Sequence, residues 1–482
     1  MRFDIAIVGG GAAAVSCLDS LSRLLILNKK KASIVIFDKK NNMGKGEIYV
    51  QDYPWIIMNT PSQDLSATYG IPDDFIQWGL KKEYKLSHGK YVSREIFGNY
   101  LRHKFNTIIE GSKNQYTLNV IKSKVIDINK GADEFTVVTD DSNEYQSRFV
   151  ILASRHNSYN DPYNLYSEKN YLLNPYPLMK KINSISNNKR ILIIGSGLTG
   201  VDCAITLHKE KSPSQLVMAS RMGYLPEVKG NKLFSCKPKF FLAENIIGDG
   251  GISLRKLLRY ARKEFRINNI DWRYYLFKDD TVERRVEYFK EQVNKAKKNP
   301  TSFNIILGMI PELAKIWPLM KVESINIFID KYYARVQQKH GAIPLINAEK
   351  ILTLILNGNL HIKKGINFIK KIGNTFNVEF KDGSKHSFDY VVNATGQMRK
   401  IEDIEENKLY TNLLRKGMIE ELCKGGIRAT YPEANPLVKG HIASENLFLV
   451  GHNAEGTHIF TNNYQWIVEI GYIAAKKLIN KL

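Results

Sequence analysis

The chain opens on two short apolar, β-branched runs, Phe3–Val8 and Ser33–Phe37, separated by a stretch from Ala12 to about Leu27 whose apolar residues recur every three or four positions. Runs of the first kind predict buried strands and the second period predicts a helix, so residues 1–40 read as strand, helix, strand. Residues 41–90 lose both periods and carry Gly44, Gly46, Pro54, Pro61 and Pro72, the punctuation of loops. A helical pattern resumes at Ser93, whose hydroxyl suits an N-cap two residues before Glu95, and reaches about Ile109. Beyond it Tyr116–Val120, Lys122–Asn129 and Glu134–Thr139 alternate apolar and polar positions, which predicts an antiparallel meander.

The opening pattern returns later. Arg190–Ile194 and Gln215–Ala219 read as strands around a second helix. From about Phe240 to His340 the apolar positions take helical spacing, as in Leu254, Leu257, Leu258 and Ala261, with Pro300 and Pro311 expected to split the region into several helices. A strand at Leu447–Val450 and a helix from about Asn463 to Ile479 close the chain. One echo ties the halves together. Residues 134–153 and 375–396 share an Asp/Ser hairpin followed by a buried strand ending on a small residue, which points to two domains of related plan.

What stands at the strand ends gives this plan a chemistry. Gly9-Gly-Gly11-Ala-Ala-Ala14 and Gly195-Ser-Gly197-Leu-Thr-Gly200 each join a strand to a helix, 186 residues apart (195 minus 9). Glycines at a helix N-terminus let backbone N–H groups approach a pyrophosphate, and the helix dipole favours its charge. Two such motifs predict two dinucleotides in one protein, the arrangement that brings a flavin to a nicotinamide. Asp38, after the second strand, is placed to accept from a ribose 2′-hydroxyl. Ser220 and Arg221, at the corresponding strand end, suit the 2′-phosphate of NADPH better than NADH. The fold class expected is α/β, with two Rossmann-like three-layer (ββα) dinucleotide-binding domains and a helical insertion in the second. The division expected is an FAD domain over 1–185 and 401–482, a nicotinamide domain over 186–239 and 346–400, and the insertion over 240–345.

Composition narrows the class. A chain of 482 residues, 43% hydrophobic and 24% charged, is an ordinary folded protein of more than one domain. Cys17, Cys203, Cys236 and Cys423 are far apart, with no CxxC and no metal-ligand spacing, so a disulfide framework, a zinc site and a thioredoxin-reductase dithiol are not expected. No long apolar run predicts a transmembrane helix, and Asp4 interrupts the would-be core of a signal peptide, so a cytoplasmic protein is expected. The net charge of +22 is spread widely. Its densest cluster, Arg255, Lys256, Arg259, Arg262, Lys263 and Arg266, reads as a solvated helix face, with RNA or an acidic partner as the alternative.

The paired fingerprints, Asn393-Ala-Thr-Gly396 and the closing Gly451-His-Asn-Ala-Glu-Gly456-Thr-His resemble the two-dinucleotide-binding flavoprotein superfamily. More closely, Met58-Asn-Thr-Pro-Ser-Gln-Asp-Leu-Ser-Ala67, Asn174-Pro-Tyr176, Gly195–Asp202 and Ile316-Trp-Pro…His340-Gly-Ala-Ile-Pro344 resemble a bacterial FAD/NAD(P)-binding oxidoreductase family related to single-component flavin monooxygenases. The resemblance implies FAD and NADPH as cofactors. It implies hydroxylation of a small polar metabolite such as an amine or amino acid. Alternatives are a flavoprotein reductase or dehydrogenase without oxygen activation, and a basic flavoprotein that binds RNA or a protein. Two features depart from the monooxygenase pattern: no FxGxxxHxxx(Y/F) signature precedes Gly195, and the first closing motif reads Ala153-Ser-Arg-His156 without Thr-Gly. The expected cofactor-binding residues are Gly9, Gly11, Ala14, Asp38, Lys39, Gly46, Asn59, Ala153, Gly195, Gly197, Gly200, Ser220, Arg221, Gly396, Gly451 and Thr457. Candidates nearer the chemistry are Asn59, Gln63 and His458, with Arg335 and His340 from the insertion.

Overall fold

The computed structural model describes all residues except 40–41, 112–115, 156–158, 231–235, 248–250, 273–280, 299–301, 334–335, 337–338, 340, 403, 460 and 462. The chain folds into two compact units, Met1–Ser158 with Met398–Leu482, and Tyr159–Gln397. The segment 159–185, read from sequence with the first domain, belongs to the second unit.

The first unit begins β1 (Arg2–Val8), α1 (Ala12–Leu27), β2 (Ala32–Phe37), continues through α2 (Asp74–Lys81) and α3 (Arg94–Glu110), and enters β3 (Tyr116–Ile121). Ser93 caps α3, its hydroxyl accepting from the Ile96 N–H at 3.4 Å. β3 corrects the meander expectation: it lies parallel to β2, Ala32 opposite Tyr116 through Phe37 opposite Ile121. The reason is α3, since a helix between two strands carries the chain back to start the next one at the same end. The antiparallel part is β4 (Val125–Lys130), β5 (Phe135–Thr139) and β6 (Glu144–Leu152). β1 pairs in parallel along one edge of β6, from Arg2 opposite Gln146 to Val8 opposite Leu152.

The second unit contributes β7 (Tyr171–Leu172), α4 (Leu178–Lys181), β8 (Arg190–Ile194), α5 (Leu198–Lys211), β9 (Gln215–Ser220) and β10 (Val228–Lys229). Helices follow: α6 (Ala243–Ile246), α7 (Leu254–Ile267), α8 (Val282–Lys298), α9 (Ser302–Ile316) and α10 (Val322–Phe328). Pro311 was expected to end a helix, yet it lies inside α9. The proline is on an exposed position while Met309, Ile310, Leu313 and Ala314 are buried around it, so apolar burial outweighs the lost hydrogen bond. The chain then returns through β11 (Ile343–Pro344), which pairs with β10, to α11 (Leu345–Leu356), β12 (His361–Lys364), β13 (Ile366–Ile372), β14 (Thr375–Phe380), β15 (Lys385–Phe388) and β16 (Tyr390–Asn393). The helical region thus leaves and rejoins the unit at neighbouring strands.

Back in the first unit come α12 (Lys408–Arg415), β17 (Leu437–Val438), β18 (His441–Ile442), β19 (Leu447–Leu449) and α13 (Tyr464–Lys481). β19 pairs with the last three residues of β6, on the edge whose earlier part carries β5. The first unit therefore has a parallel sheet in the order β3-β2-β1-β6-β19, and the second has β12-β9-β8-β16-β7. Each adds an antiparallel hairpin or triplet leading into the strand beside its first β-strand. The sequence echo is this shared plan. Ile5, Ile7, Ile34, Ile36, Phe149, Ile151 and Phe448 are fully or almost fully buried, each side chain contributing about 1.5–3 kcal/mol of transfer free energy. The core therefore fixes the ends of β1, β2, β6 and β19, where the candidate residues stand.

Candidate functional site

Each unit presents a strand, a glycine turn and a helix N-terminus with nearly the same geometry. Gly9 (φ 105°) and Gly195 (φ 112°) take backbone angles that other residues avoid. Each is also pressed against the neighbouring crossover: a Cβ on Gly9 would stand 2.7 Å from the Ser154 nitrogen, and one on Gly195 would stand 2.6 Å from the Ala394 oxygen. The Gly9 N–H donates to the Phe37 carbonyl at 2.8 Å and the Gly195 N–H to the Ala219 carbonyl at 2.7 Å. The caps match as well. Gly11 has φ −83°, ψ −165° and Gly197 has φ −78°, ψ −164°. Neither helix has a side-chain cap, so the first-turn N–H groups are directed at whatever anion approaches. Ala14 is buried in the first turn of α1, and Gly200 packs α5 on its own turn, where a Cβ would meet the Gly195 oxygen at 2.3 Å. These features fit a dinucleotide pyrophosphate at each helix.

The two sites diverge at the next strand end. In the first unit Asp38 follows β2, and its Oδ2 accepts from the Gly10 N–H at 2.7 Å. In the second, the matched hydrogen bonds place Ser220 where Asp38 stands. The Ser220 hydroxyl accepts from the Gly223 N–H at 3.1 Å, and Arg221 is exposed beside it. A carboxylate suits a ribose diol, whereas a hydroxyl and a guanidinium suit a phosphate.

Several other candidates gather around the first fingerprint. Gly46 faces Gly11, whose Cβ would lie 3.8 Å from the Gly46 Cα. The Ala153 N–H donates to the Val8 carbonyl at 2.9 Å, which sets Ala153 beside Gly9. Gly451 (φ 87°) follows β19 next to the start of α1, its Cβ position 3.1 Å from that of Ala13. In the second unit the Gly396 carbonyl accepts from the Asn160 N–H at 3.1 Å. Asn59 is half-buried in the loop after Met58.

The remaining candidates have their polar groups engaged elsewhere. Gln63 Oε1 accepts from the Gly89 N–H at 2.8 Å, lashing two loops together. Lys39 forms a 2.6 Å ion pair with Asp140. The Thr457 hydroxyl donates to the Ala429 carbonyl and accepts from the Ala429 N–H. His458 is buried, its Nε2 lies 3.2 Å from the Thr430 carbonyl, and burial lowers its pKa to about 4. It is therefore a neutral imidazole at ordinary pH. Arg335, His340 and His156 lie outside the described residues.

Two residues from distant segments hold the first crossover. Tyr410 donates to the Ser154 carbonyl at 2.7 Å, and the Asn453 amide donates to the Leu152 carbonyl at 2.9 Å. Each comes from more than 250 residues along the chain; Asn453 lies in the closing motif, whereas no local pattern marks Tyr410. A cavity of about 510 Å³ in the first unit is lined by Asn129, Lys130, Lys416, Met418 and Leu447. It lies at the entry of β19, the opposite end from the glycine turns, and has no bearing on this chemistry. On α7 the exposed residues Arg255, Arg259, Arg262 and Arg266 fall on one face, with Arg262 over the Trp272 ring at 3.8 Å. No helix among the described residues is long and apolar enough to cross a membrane.

The fold and these sites define the class: two Rossmann-type units in one chain, each with a dinucleotide-binding fingerprint. Residues 6–157, within the first unit, match the FAD-NAD(P)-binding family. No curated protein matches the sequence. Among solved structures, ornithine hydroxylase from Pseudomonas aeruginosa is similar, with 12% identity and a TM-score of 0.61 over 100% of this chain and 99% of that one. L-lysine 6-monooxygenase from Pseudomonas syringae has 13% identity and a TM-score of 0.61 over all of both chains. Bacillithiol disulfide reductase from Bacillus cereus has 14% identity and a TM-score of 0.54, again over all of both. At such identities the likeness is one of fold.

Proposed function

We propose that the protein is an FAD-dependent oxidoreductase that uses NADPH, and that it hydroxylates a small polar metabolite such as an amine or amino acid. The observation that carries the two-cofactor reading is the pair of glycine-capped helix N-termini, equal in backbone geometry, with Asp38 at one strand end and Ser220 and Arg221 at the other. Bound there, FAD would supply hydride acceptance from a nicotinamide and onward electron transfer to oxygen or to a second acceptor. The chain's part is to bind: the Gly9–Ala14 turn and Asp38 hold the adenosine pyrophosphate of FAD, and the Gly195–Gly200 turn with Arg221 holds that of NADPH.

The monooxygenase reading draws on the whole-length likeness to ornithine and lysine hydroxylases. The likeness to a disulfide reductase favours the second reading, a reductase that passes its electrons to an acceptor other than oxygen. Purified protein should carry flavin absorbance and oxidise NADPH. A panel of amines and amino acids is then screened for oxygen uptake matched mole for mole by hydroxylated product. NADPH oxidation that proceeds without oxygen on a disulfide or quinone acceptor, with no hydroxylated product, would replace the first reading by the second. Arg221→Ala should raise the KM for NADPH far more than that for NADH; equal changes would refute the NADPH assignment.

A further inference from the structure

We infer that Arg285, on the inserted helix α8, is a second recognition residue for the 2′-phosphate of the nicotinamide cofactor; this rests on the NADPH reading above. Arg285 belongs to neither the glycine fingerprint nor the strand end that follows it. Its guanidinium nevertheless lies within the turn after β9. A Cβ on Gly223 (φ 66°) would stand 3.3 Å from Arg285 Nη1 and 3.2 Å from the Lys364 Cβ, so a side chain at this turn would crowd the guanidinium. The guanidinium carbon sits 4.2 Å from the centre of the Tyr224 ring, a cation–π contact that sets its plane.

The turn so gripped is joined to the fingerprint. Ser196, between Gly195 and Gly197, donates its hydroxyl to the Tyr224 carbonyl. The Gly223 N–H closes back on Ser220, and the Ser220 carbonyl also accepts from the Gly365 N–H at 2.8 Å. Lys364 is the register partner of Ser220 on β12. Arg221, Arg285 and Lys364 therefore surround one short turn, at the strand end where a 2′-phosphate is read. Arg285 is only 3% exposed, so packing against Tyr224 and the Gly223 turn holds its charge in one place, whereas Arg221 is exposed. Its charge, held over the Tyr224 ring, acts on a phosphate from one fixed position, which a flexible lysine does not match. The insertion thus takes part in choosing the nicotinamide, whatever else it does.

The test uses fragments that isolate the phosphate. Binding of adenosine 2′,5′-bisphosphate and of 5′-AMP to the flavin-loaded protein is measured by calorimetry, alongside NADP⁺ and NAD⁺. The wild type should prefer the bisphosphate by about tenfold or more, the scale of a charge-assisted contact. Arg285→Ala should bring the two affinities within about threefold, chiefly by weakening the bisphosphate, and Arg285→Lys should fall between. Should the alanine variant fail to fold, Arg285→Lys and Tyr224→Leu decide the matter, since each keeps the turn while moving the charge or its aim. An unchanged preference in these variants, with the preference lost in Arg221→Ala, overturns this inference alone. A wild type without any preference for the bisphosphate overturns it together with the NADPH reading.

Discussion

At the scale of single residues, the glycines of one motif have opposite jobs, and substitution should separate them. Gly195 has φ 112° and would drive a Cβ into the Ala394 carbonyl, so Gly195→Ala should destabilise the second unit by about 1–3 kcal/mol or more. Gly197 has an ordinary φ of −78°, and a Cβ there meets nothing within 4 Å. Gly197→Ala should therefore unfold at the wild-type denaturant midpoint while its KM for NADPH rises about tenfold or more, because the methyl occupies the path of the pyrophosphate. A loss of stability matching that of Gly195→Ala would contradict the assignment. His458 makes a different kind of prediction. Its pKa in the fold, about 4, lies below the 6.5 of an unperturbed imidazole, so unfolding takes up a proton between those values. The contribution is fully present above pH 6.5 and is lost as pH falls through about 4, by roughly 3 kcal/mol in all. Chemical denaturation of His458→Asn across pH 7 to 4 should show a shallower fall than the wild type, and parallel curves would refute it.

At the scale of elements, the sequence was most readable where a period ran uninterrupted. The strands of both βαβ units, the capped helix at Ser93 and the helix from Tyr464 all have their pattern in their own side chains. β3 shows the limit. Its alternation says that a strand forms, but its partner is set by the helix before it, and pairing is a property of topology rather than of the strand. The site divides in the same way. Gly9, Gly195 and Asp38 announce themselves by motif, while Tyr410 and Arg285 reach their places only when distant segments pack. Pro311 is a further case, since propensity and burial compete there and burial wins. Pro311→Ala should restore a helix donor and remove the ring that proline sets against the preceding turn, raising stability by about 1–3 kcal/mol. Urea denaturation measures this directly, and an unchanged midpoint would show that the proline is free of strain.

At the scale of the whole molecule, two units of the same sheet order carry separate cores and separate dinucleotide motifs. Each ligand should accordingly stabilise its own unit. In calorimetry, removal of FAD should lower the transition of the first unit, and NADP⁺ at 100 times its Kd should raise that of the second by an amount corresponding to about 2.7 kcal/mol. A single transition that shifts equally with either ligand would show that the units unfold as one.

The edge of β6 that is divided between β5 and β19 has a consequence for the order in which the protein can be made. Residues 159–397 form a continuous stretch and emerge from the ribosome together, free to fold as they appear. The first unit must wait. Its opening 158 residues leave the tunnel long before Leu447–Leu449 arrive to cover the end of β6 and α13 arrives to seal α1. At about 5–20 residues per second, that is a delay of roughly a quarter of a minute to one minute, during which an apolar strand edge stands open. The unit translated first is the last to close, and its glycine-turn site is completed only once Leu447–Leu449 have been made.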